Sequence, residues 1–476
     1  MKAESNDVSC ETADVIDKIG LSVGQCIAIM SASGIFFLEG LEIMQISLLQ
    51  RVVGPFPVGL TTAWTTGGTL VGVFAGVAMA RWGRPVAIFL SYIMAAIAVG
   101  AMSLVSTHSA MCFLLALLGF SIGMAYPAAF SLLHELCPKK YRFAAVAVSF
   151  LSYGIGSLVA ATTVHYLAED LSSVQGFWRQ VLWYSSLGAS VLLLLTSFFS
   201  LWESPQFLIQ TKQIVLAKDT LTFFLRTSFL NEEAIEAKQG PLTDLRKLAV
   251  DRSGEVLAST VGLKEDLQLE YEHLMFASFA TGFAANSCAF FAVLDEFDAS
   301  HVERVAFLGW HFVSAELLGA AGLTFCLALC YVTLVQWQHK TSLSTALSVT
   351  AGLCACLTIV SILRASEDGL DAQSHGSLDW SLSSTGMSLL ATICTHVAIL
   401  LVLCIGMEMS STRHRCGVVA ACVFGSQAGK LLAILIDRYL LNKMDLRCVA
   451  FTASAALCFS ASLTVACRSP RAALRK

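Results

Sequence analysis

The chain has 476 residues, 56% of them hydrophobic and 13% charged, with a mean hydropathy of +0.70 and a formal net charge of −4. Soluble domains carry about 25% charged residues, so the missing charge implies a lipid-facing surface and excludes an ordinary soluble fold. The slightly acidic balance gives no electrostatic footprint for nucleic acid.

A membrane-crossing helix needs about 20 mostly apolar residues. Six such spans are predicted in the first half, at 22–48, 58–80, 86–105, 110–133, 143–167 and 180–201. Six more follow at 274–294, 305–335, 342–363, 384–407, 416–437 and 446–467. Their uninterrupted apolar runs lack the alternation of barrel strands, so the expected fold is all-α. Residues 1–20 are polar and acidic, unlike a signal peptide, and the first span is expected to act as its own insertion signal. The organisation reads as a tail (1–21), a six-helix half (22–201), a polar loop (202–273), a second six-helix half (274–467) and a tail (468–476).

The stretch from His134 to Arg142 has a second copy from Met407 to Arg415. In each copy a Glu closes one apolar span and an Arg seven residues later opens the next. Glu135 and Glu408 are separated by 273 positions, and so are Arg142 and Arg415. A charged hinge repeated at a fixed offset marks two homologous halves related by a parallel repeat.

Short-loop basic residues set orientation. With the N-terminus inside, the cytoplasmic side holds Arg81, Arg84, Lys139, Lys140, Arg142, Lys340, Arg413 and Arg415, plus Arg468, Arg471, Arg475 and Lys476 of the tail. The outer side holds seven basic residues: Arg51, Arg179, Arg304, Arg364, Arg438, Lys443 and Arg447. Both termini and the 202–273 loop are therefore expected in the cytoplasm, in the plasma membrane or an endomembrane. That loop carries Leu263, Leu267, Tyr271 and Leu274 at helical spacing and is broken at Gln239-Gly240-Pro241. It reads as an amphipathic helix on the membrane surface, or as a solvated linker.

Six spans, a long loop and six spans in a parallel repeat resemble the major facilitator superfamily. Gly76-Val77-Ala78-Met79-Ala80-Arg81-Trp82-Gly83-Arg84 is similar to the family's loop motif between spans 2 and 3. Ala80 stands where that motif has an Asp, and Pro85 replaces its last Arg. Glu203-Ser204-Pro205-Gln206-Phe207-Leu208 resembles the motif after span 6 in sugar porters, organic ion transporters and synaptic-vesicle-glycoprotein-like members. Trp178-Arg179 at the start of span 6 fits as well. Leu38-Glu39-Gly40-Leu41-Glu42-Ile43-Met44 resembles the acidic first-span signature of the synaptic-vesicle-glycoprotein-like and aromatic-acid branches. Gln336-Trp337-Gln338-His339-Lys340 stands where the loop motif would repeat and lacks its Gly-Arg core.

Charge inside a bilayer is costly, so each instance is a candidate site. Glu39 and Glu42 lie three apart on one helical face, suited to a coupling proton or to a cationic substrate group, or forming a structural ion pair. Glu316 lies mid-span 8, a cavity-lining helix in the resembling family, with His311 nearby. Lys430, in span 11, either binds a substrate carboxylate or neutralises a Glu across the half interface. His396, in span 10, is a proton relay, a hydrogen-bond donor or a packing residue. The loop residues Arg81, Gly83, Arg84, Glu135, Arg142, Glu203, Glu408 and Arg415 are expected to gate. Arg84 and Arg142 would reach acids such as Glu135, while Arg415, Glu408 and Glu203 would do the same in the other half.

Most of the sixteen Cys sit inside apolar spans and none has zinc-ligand spacing with His. Close-packed Gly such as Gly67-Gly68 and Gly154/Gly156 read as helix contacts rather than a nucleotide loop. No catalytic constellation, cofactor or metal site is implied. The expected protein is a monomeric transporter of a small organic solute, with the lipid bilayer and a coupling proton as its other partners. The alternative is a non-transporting sensor or partner-binding scaffold of the same fold. Orientation has a direct check: protease added to sealed right-side-out cells should leave the 202–273 loop intact, and cleavage there would reverse the assignment.

Overall fold

Inside a bilayer every backbone N–H and C=O must be satisfied within the chain, which turns long apolar runs into helices. The computed structural model describes residues 15–17, 19–53, 60–171, 177–228, 272–285, 287, 339–367, 377–410, 412–440 and 447–467. The first half contains α1 (Val23–Val53), α2 (Leu60–Met79), α3 (Arg84–Leu104), α4 (His108–Leu136) and α5 (Arg142–Leu171). Its sixth helix, α6, runs through Phe177–Val181, a π-turn at Leu182–Leu187 and Gly188–Ser200. Two short helices follow, α7 (Pro205–Gln210) and α8 (Ile214–Arg226). The second half contains α9 (272–285), α10 (His339–Glu367), α11 (Ser377–Met409), α12 (Thr412–Leu440) and α13 (Arg447–Cys467). Among the described residues, eight helices are long and apolar enough to cross a membrane. Span 8, with Glu316 and His311, lies outside the described residues, as does 263–271 of the amphipathic pattern.

The halves repeat in backbone detail. On α1, a Cβ added at Gly40 would stand 2.0 Å from the Tyr153 carbonyl oxygen of α5, and one at Gly156 would stand 2.0 Å from that of Phe37. On α9, Gly282 meets the Ser426 carbonyl at 1.9 Å, and Gly429 of α12 meets that of Phe279 at 2.1 Å. Gly156 and Gly429 differ by the same 273 positions as the hinge charges. Both helix pairs thus cross at a point where only hydrogen fits on either side, the small-residue packing that lets membrane helices touch. The halves meet where α12 packs on α2 and α4 and α11 packs on α5. Phe74 and Phe424 face each other across that boundary with ring centroids 5.3 Å apart.

The polar loop starts as part of the protein rather than as a free linker. In α8, Ala217, Thr220, Leu221, Phe224 and Leu225 form a buried stripe, with Leu221 and Leu225 packed on Ile16 and Ile19. Phe223 stacks on Trp202 at 4.5 Å. The Val23 N–H donates to the Thr227 carbonyl at 3.0 Å, fixing the entry to α1. The amphipathic stripe of α8 is therefore covered by the chain's own N-terminal segment and α1. Val215 and Leu216 remain on the outer face.

The helix crossings should tolerate no side chain. Gly156→Leu should lower stability by about 1–3 kcal/mol or more through overpacking. Gly188→Leu, where nothing lies within 4 Å of an added Cβ, should leave it nearly unchanged. Thermal unfolding of the two purified variants in one detergent checks this; equal midpoints would remove the crossing argument.

Candidate functional site

Two groups of polar residues lie at different depths. The first closes the end of the bundle that carries the charged hinges. Arg84 opens α3, Glu135 ends α4 and Arg415 lies in the first turn of α12. Arg84 Nη2 donates to Glu135 Oε1 at 3.1 Å, and Arg415 Nη1 donates to the same oxygen at 3.0 Å. All three are buried, and Glu135 is 0% exposed. Arg84 Nη2 also donates to the Thr412 carbonyl at 3.3 Å, and Arg415 Nη2 to that of Ser410 at 3.3 Å. The Thr412 hydroxyl donates to Gln206 Oε1 at 3.2 Å. The Arg84 guanidinium lies 3.9 Å from the Phe207 ring centroid. One carboxylate thus joins an Arg of each half.

This differs from the expected pairing in which each half keeps its own acids. Arg415 crosses to Glu135 instead of taking Glu408 or Glu203. Arg142 Nε donates to the Cys137 carbonyl at 3.4 Å, with Asp17 and Glu408 as its neighbouring negative charges. The physical reason is geometric: α12 packs against α4, so its first turn faces the end of α4. Arg81 is exposed.

Glu203 serves the first half. Its Oε2 accepts the Arg84 N–H at 2.9 Å and its Oε1 the Ser204 N–H at 2.9 Å, so it caps the start of α3. Gly83 has φ +141, and a Cβ there would sit 2.6 Å from Glu203 Oε2. Only glycine meets both demands. The two loop motifs recognised separately in the sequence therefore meet at one carboxylate. Ala80 is buried, and Glu203 brings to this loop the carboxylate that Ala80 lacks.

The second group lines a narrow crevice of about 20 Å³. Its walls are Glu39, Ile43 and Ile46 of α1, Thr62, Thr65, Thr66 and Thr69 of α2, Leu118 and Ile122 of α4, and Gln427 and Lys430 of α12. These residues lie in the middle of their helices or toward the end opposite the hinges. The cleft is thus set off from the hinge end, which the Arg–Glu–Arg bridge closes. Glu39 is 8% exposed, accepts a hydrogen bond from the Tyr126 hydroxyl and feels the charge of Lys430. Glu42 is 1% exposed, and neither of its oxygens has a hydrogen-bond partner among the described residues. His396 Nδ1 lies 2.7 Å from the Thr392 carbonyl oxygen, which can only accept. Nδ1 therefore carries its hydrogen, and a neutral ring presents Nε2 as an acceptor. The His396 ring is 6.0 Å from that of Tyr153 and within the field of Lys430.

Sequence reasoning alone puts no weight on several of these groups. Thr62, Thr65, Thr66 and Thr69 follow helical spacing on one face, a signal that was present. Gln427 stands one turn before Lys430. Tyr126 and Tyr153 had no signal, since a polar-tipped aromatic in an apolar run does not announce its partner.

Comparison with known proteins agrees with this architecture. A family model described as "Sugar (and other) transporter" matches residues 55–290. The chain has the fold of the major facilitator superfamily. The solved structure of the proton:xylose symporter XylE bound to 6-bromo-6-deoxy-D-glucose matches with a TM-score of 0.68 at 15% identity, covering 96% of this chain and 97% of that one. XylE from E. coli in a partially occluded inward open conformation matches at 0.62 and 13% identity, over 94% and 100%. The human organic anion transporter MFSD10 (TETRAN) matches at 0.56 and 13% identity, over 96% and 99%. A comparison with curated proteins by sequence finds no match. This is a multi-pass helical membrane protein, and its similarities are to transporters rather than to enzymes.

Burial pushes the Glu203 carboxyl up to about 7, against the opposing pull of the Ser204 and Arg84 N–H groups and the Arg84 charge. In an arrangement that opened the hinge end and gave Glu203 more water, its carboxyl would return toward the ordinary 4.5. The closed arrangement therefore holds the proton more tightly. Its proton-linked advantage is complete below 4.5 and lost as pH rises through 7. Spin-label distances across the hinge end should shift toward the closed population on acidification from about pH 8 to about pH 5.5. Glu203→Gln should flatten that dependence, and an unchanged pH response in the variant would place the titrating group elsewhere.

Proposed function

We propose that this chain is a secondary transporter of a small organic solute, working by alternating access of its two halves, with a proton as the coupling ion. The observation that carries the reading is Glu135, one buried carboxylate shared by Arg84 and Arg415 across the half boundary, beneath a mid-depth cleft lined by ionisable residues. Such a bridge exists only while the hinge end is closed, so opening it exposes the cleft to the other side. With both termini cytoplasmic, the described arrangement is the outward-facing one.

Glu39 and Glu42 are the proposed proton carriers. Two carboxylates one turn apart in a bilayer do not both stay charged without a counter-ion. Glu39 has Tyr126 and the field of Lys430, whereas Glu42 has no hydrogen-bond partner among the described residues. XylE is described as a proton:xylose symporter, which supports the same coupling ion here. Lys430, His396 and Gln427 are the proposed substrate contacts from the second half, with Glu316 as a further candidate. The scaffold reading rests on Ala80 and on the missing Gly-Arg core at Gln336–Lys340; Glu203 supplies a carboxylate beside Ala80, which favours the transporter reading at the first of these.

Reconstituted vesicles test the proposal. Wild-type protein should accumulate solute when the outside is acidified. Glu39→Gln or Glu42→Gln should abolish accumulation yet retain exchange, and Arg415→Ala should slow both at equal insertion. Concentrative uptake by both Gln variants would make the carboxylates structural. Uptake by wild type that ignores pH would remove the coupling.

A further inference from the structure

Resting on the alternating-access reading, we propose that the segment ahead of the first span, Val15 to Gln25, is a strap that holds the hinge end closed. Loosening it shifts the protein toward the arrangement in which the Arg84–Glu135–Arg415 bridge is broken.

The strap begins as one helical turn. The Gly20 N–H donates to the Ile16 carbonyl at 3.0 Å, and Gly20, at φ +79, takes the left-handed conformation that ends such a turn. The turn sets the buried Ile16 and Ile19 on Leu221 and Leu225 of α8, with Ile209 of α7 packed against the same cluster. Helix α7 also carries Gln206, which accepts from Thr412 of the second half, and Phe207, whose ring faces the Arg84 guanidinium. The apolar side of the strap therefore backs an element that touches one arginine of the bridge and reaches across the half boundary.

The polar side grips the carboxylate's helix end. The turn Lys139–Tyr141 joins the end of α4, where Glu135 sits, to Arg142. Pro138 precedes that turn and offers no side-chain acceptor for its free N–H groups. Asp17 supplies one from the strap: its Oδ1 accepts the Lys139 N–H at 2.6 Å, and its Oδ2 lies 3.5 Å from Lys139 Nζ. Ser22 and Gln25 then form a capping box at the start of α1. The Ser22 N–H donates to Gln25 Oε1 at 2.7 Å, and the Gln25 N–H donates to Ser22 Oγ at 3.2 Å. The Gln25 Nε2 donates to the Leu136 carbonyl, next to Glu135, at 2.8 Å. One acid and one amide of the strap thus hold the chain on the far side of Glu135.

Desolvation offsets much of the attraction among three buried charges, so the bridge gains only where they are already in place. A fraying α4 end would add the entropy of ordering it to the cost of closure. The strap removes that second cost while touching none of the crevice residues.

The test uses full-length protein in nanodiscs and the chain's own thiols. Cys416 is buried at the half boundary, where its thiol donates to Ser131 Oγ at 3.2 Å, so an open hinge end is what admits N-ethylmaleimide to it. Cys458 is buried within the second half, where its thiol donates to the Ala280 carbonyl at 3.7 Å, and reports general loosening. Peptide mass spectrometry reads each position separately. Asp17→Ala and Ile16→Ser should each speed Cys416 labelling by about three- to tenfold, with Cys458 unchanged. Lys139→Ala keeps the N–H that Asp17 binds and loses only an exposed pair, so it should change the rate by less than about twofold. Wild-type Cys416 rates in both strap variants would overturn the inference. So would a parallel rise at Cys458, which would make the segment a general stabiliser, and so would a Lys139→Ala effect as large as that of Asp17→Ala. Uptake in vesicles separates the two levels. Faster Cys416 labelling in a protein that moves no solute keeps the strap and sinks transport. Concentrative uptake with labelling unmoved by the variants keeps transport and sinks the strap.

Discussion

Glu135 receives two guanidinium groups on a single oxygen while its other oxygen, Oε2, and Arg84 Nε have no partner among the described residues. Burying charge is expensive, and removing one member of a buried ion pair typically costs about 3–5 kcal/mol. The same desolvation makes the closed bridge weak in net terms, because water solvates all three groups once the end opens. Unused hydrogen-bonding capacity in the closed form adds to that balance. On the proposed alternating-access reading, such a latch would open at modest cost, as a bias by substrate or proton requires.

The halves share a backbone plan but not a charge plan. Gly40 with Gly156, and Gly282 with Gly429, place equivalent helix pairs at the same close approach. At the position that repeats Lys430, the first half has Ser157, whose hydroxyl donates to the Gly40 and Tyr153 carbonyls. At the hinges, Glu135 is fully buried under two arginines, whereas its repeat Glu408 is exposed, with Arg142 within its field. One arm of the latch is dry and the other wet. Duplication supplied the scaffold, and divergence put carboxylates on one wall of the cleft and a lysine on the other.

The spans were legible because hydrophobic thickness imposes their length, and the repeat because two charges kept one offset. Glu39, Lys430 and the hinge charges were legible as candidates because a bilayer taxes every ionisable group. Their partners were not. Which Glu meets Arg415 depends on α12 packing against α4, a contact between halves that no local pattern encodes. The meeting of Gly83 with Glu203 joins two motifs 120 positions apart in sequence, and only the return of α6 to the hinge end brings them together. The docking of α8 was not read from the sequence for a related reason: an amphipathic stripe states that something apolar covers it, not whether that is lipid or the chain itself.

Helix α1 is held at both ends by its own half. At the hinge end the Val23 N–H bonds Thr227, and Gln25 Nε2 donates to the Leu136 carbonyl at 2.8 Å. Beyond the cleft, Gln45 bonds Ser185 at 2.7 Å and accepts from Ser186, both carried on the π-turn of α6. A π-turn widens the helix by one residue and is frequent at functional positions. Here it turns two adjacent hydroxyls toward one buried Gln. So anchored, α1 belongs to the first half as a unit, and on the proposed mechanism Glu39 would keep its Tyr126 contact as that half rocks. Lys430 belongs to the other half. On the proposed rocking of the halves, the separation between Glu39 and Lys430 would change with the motion itself, so the proton on one and the charge of the other would respond to it together.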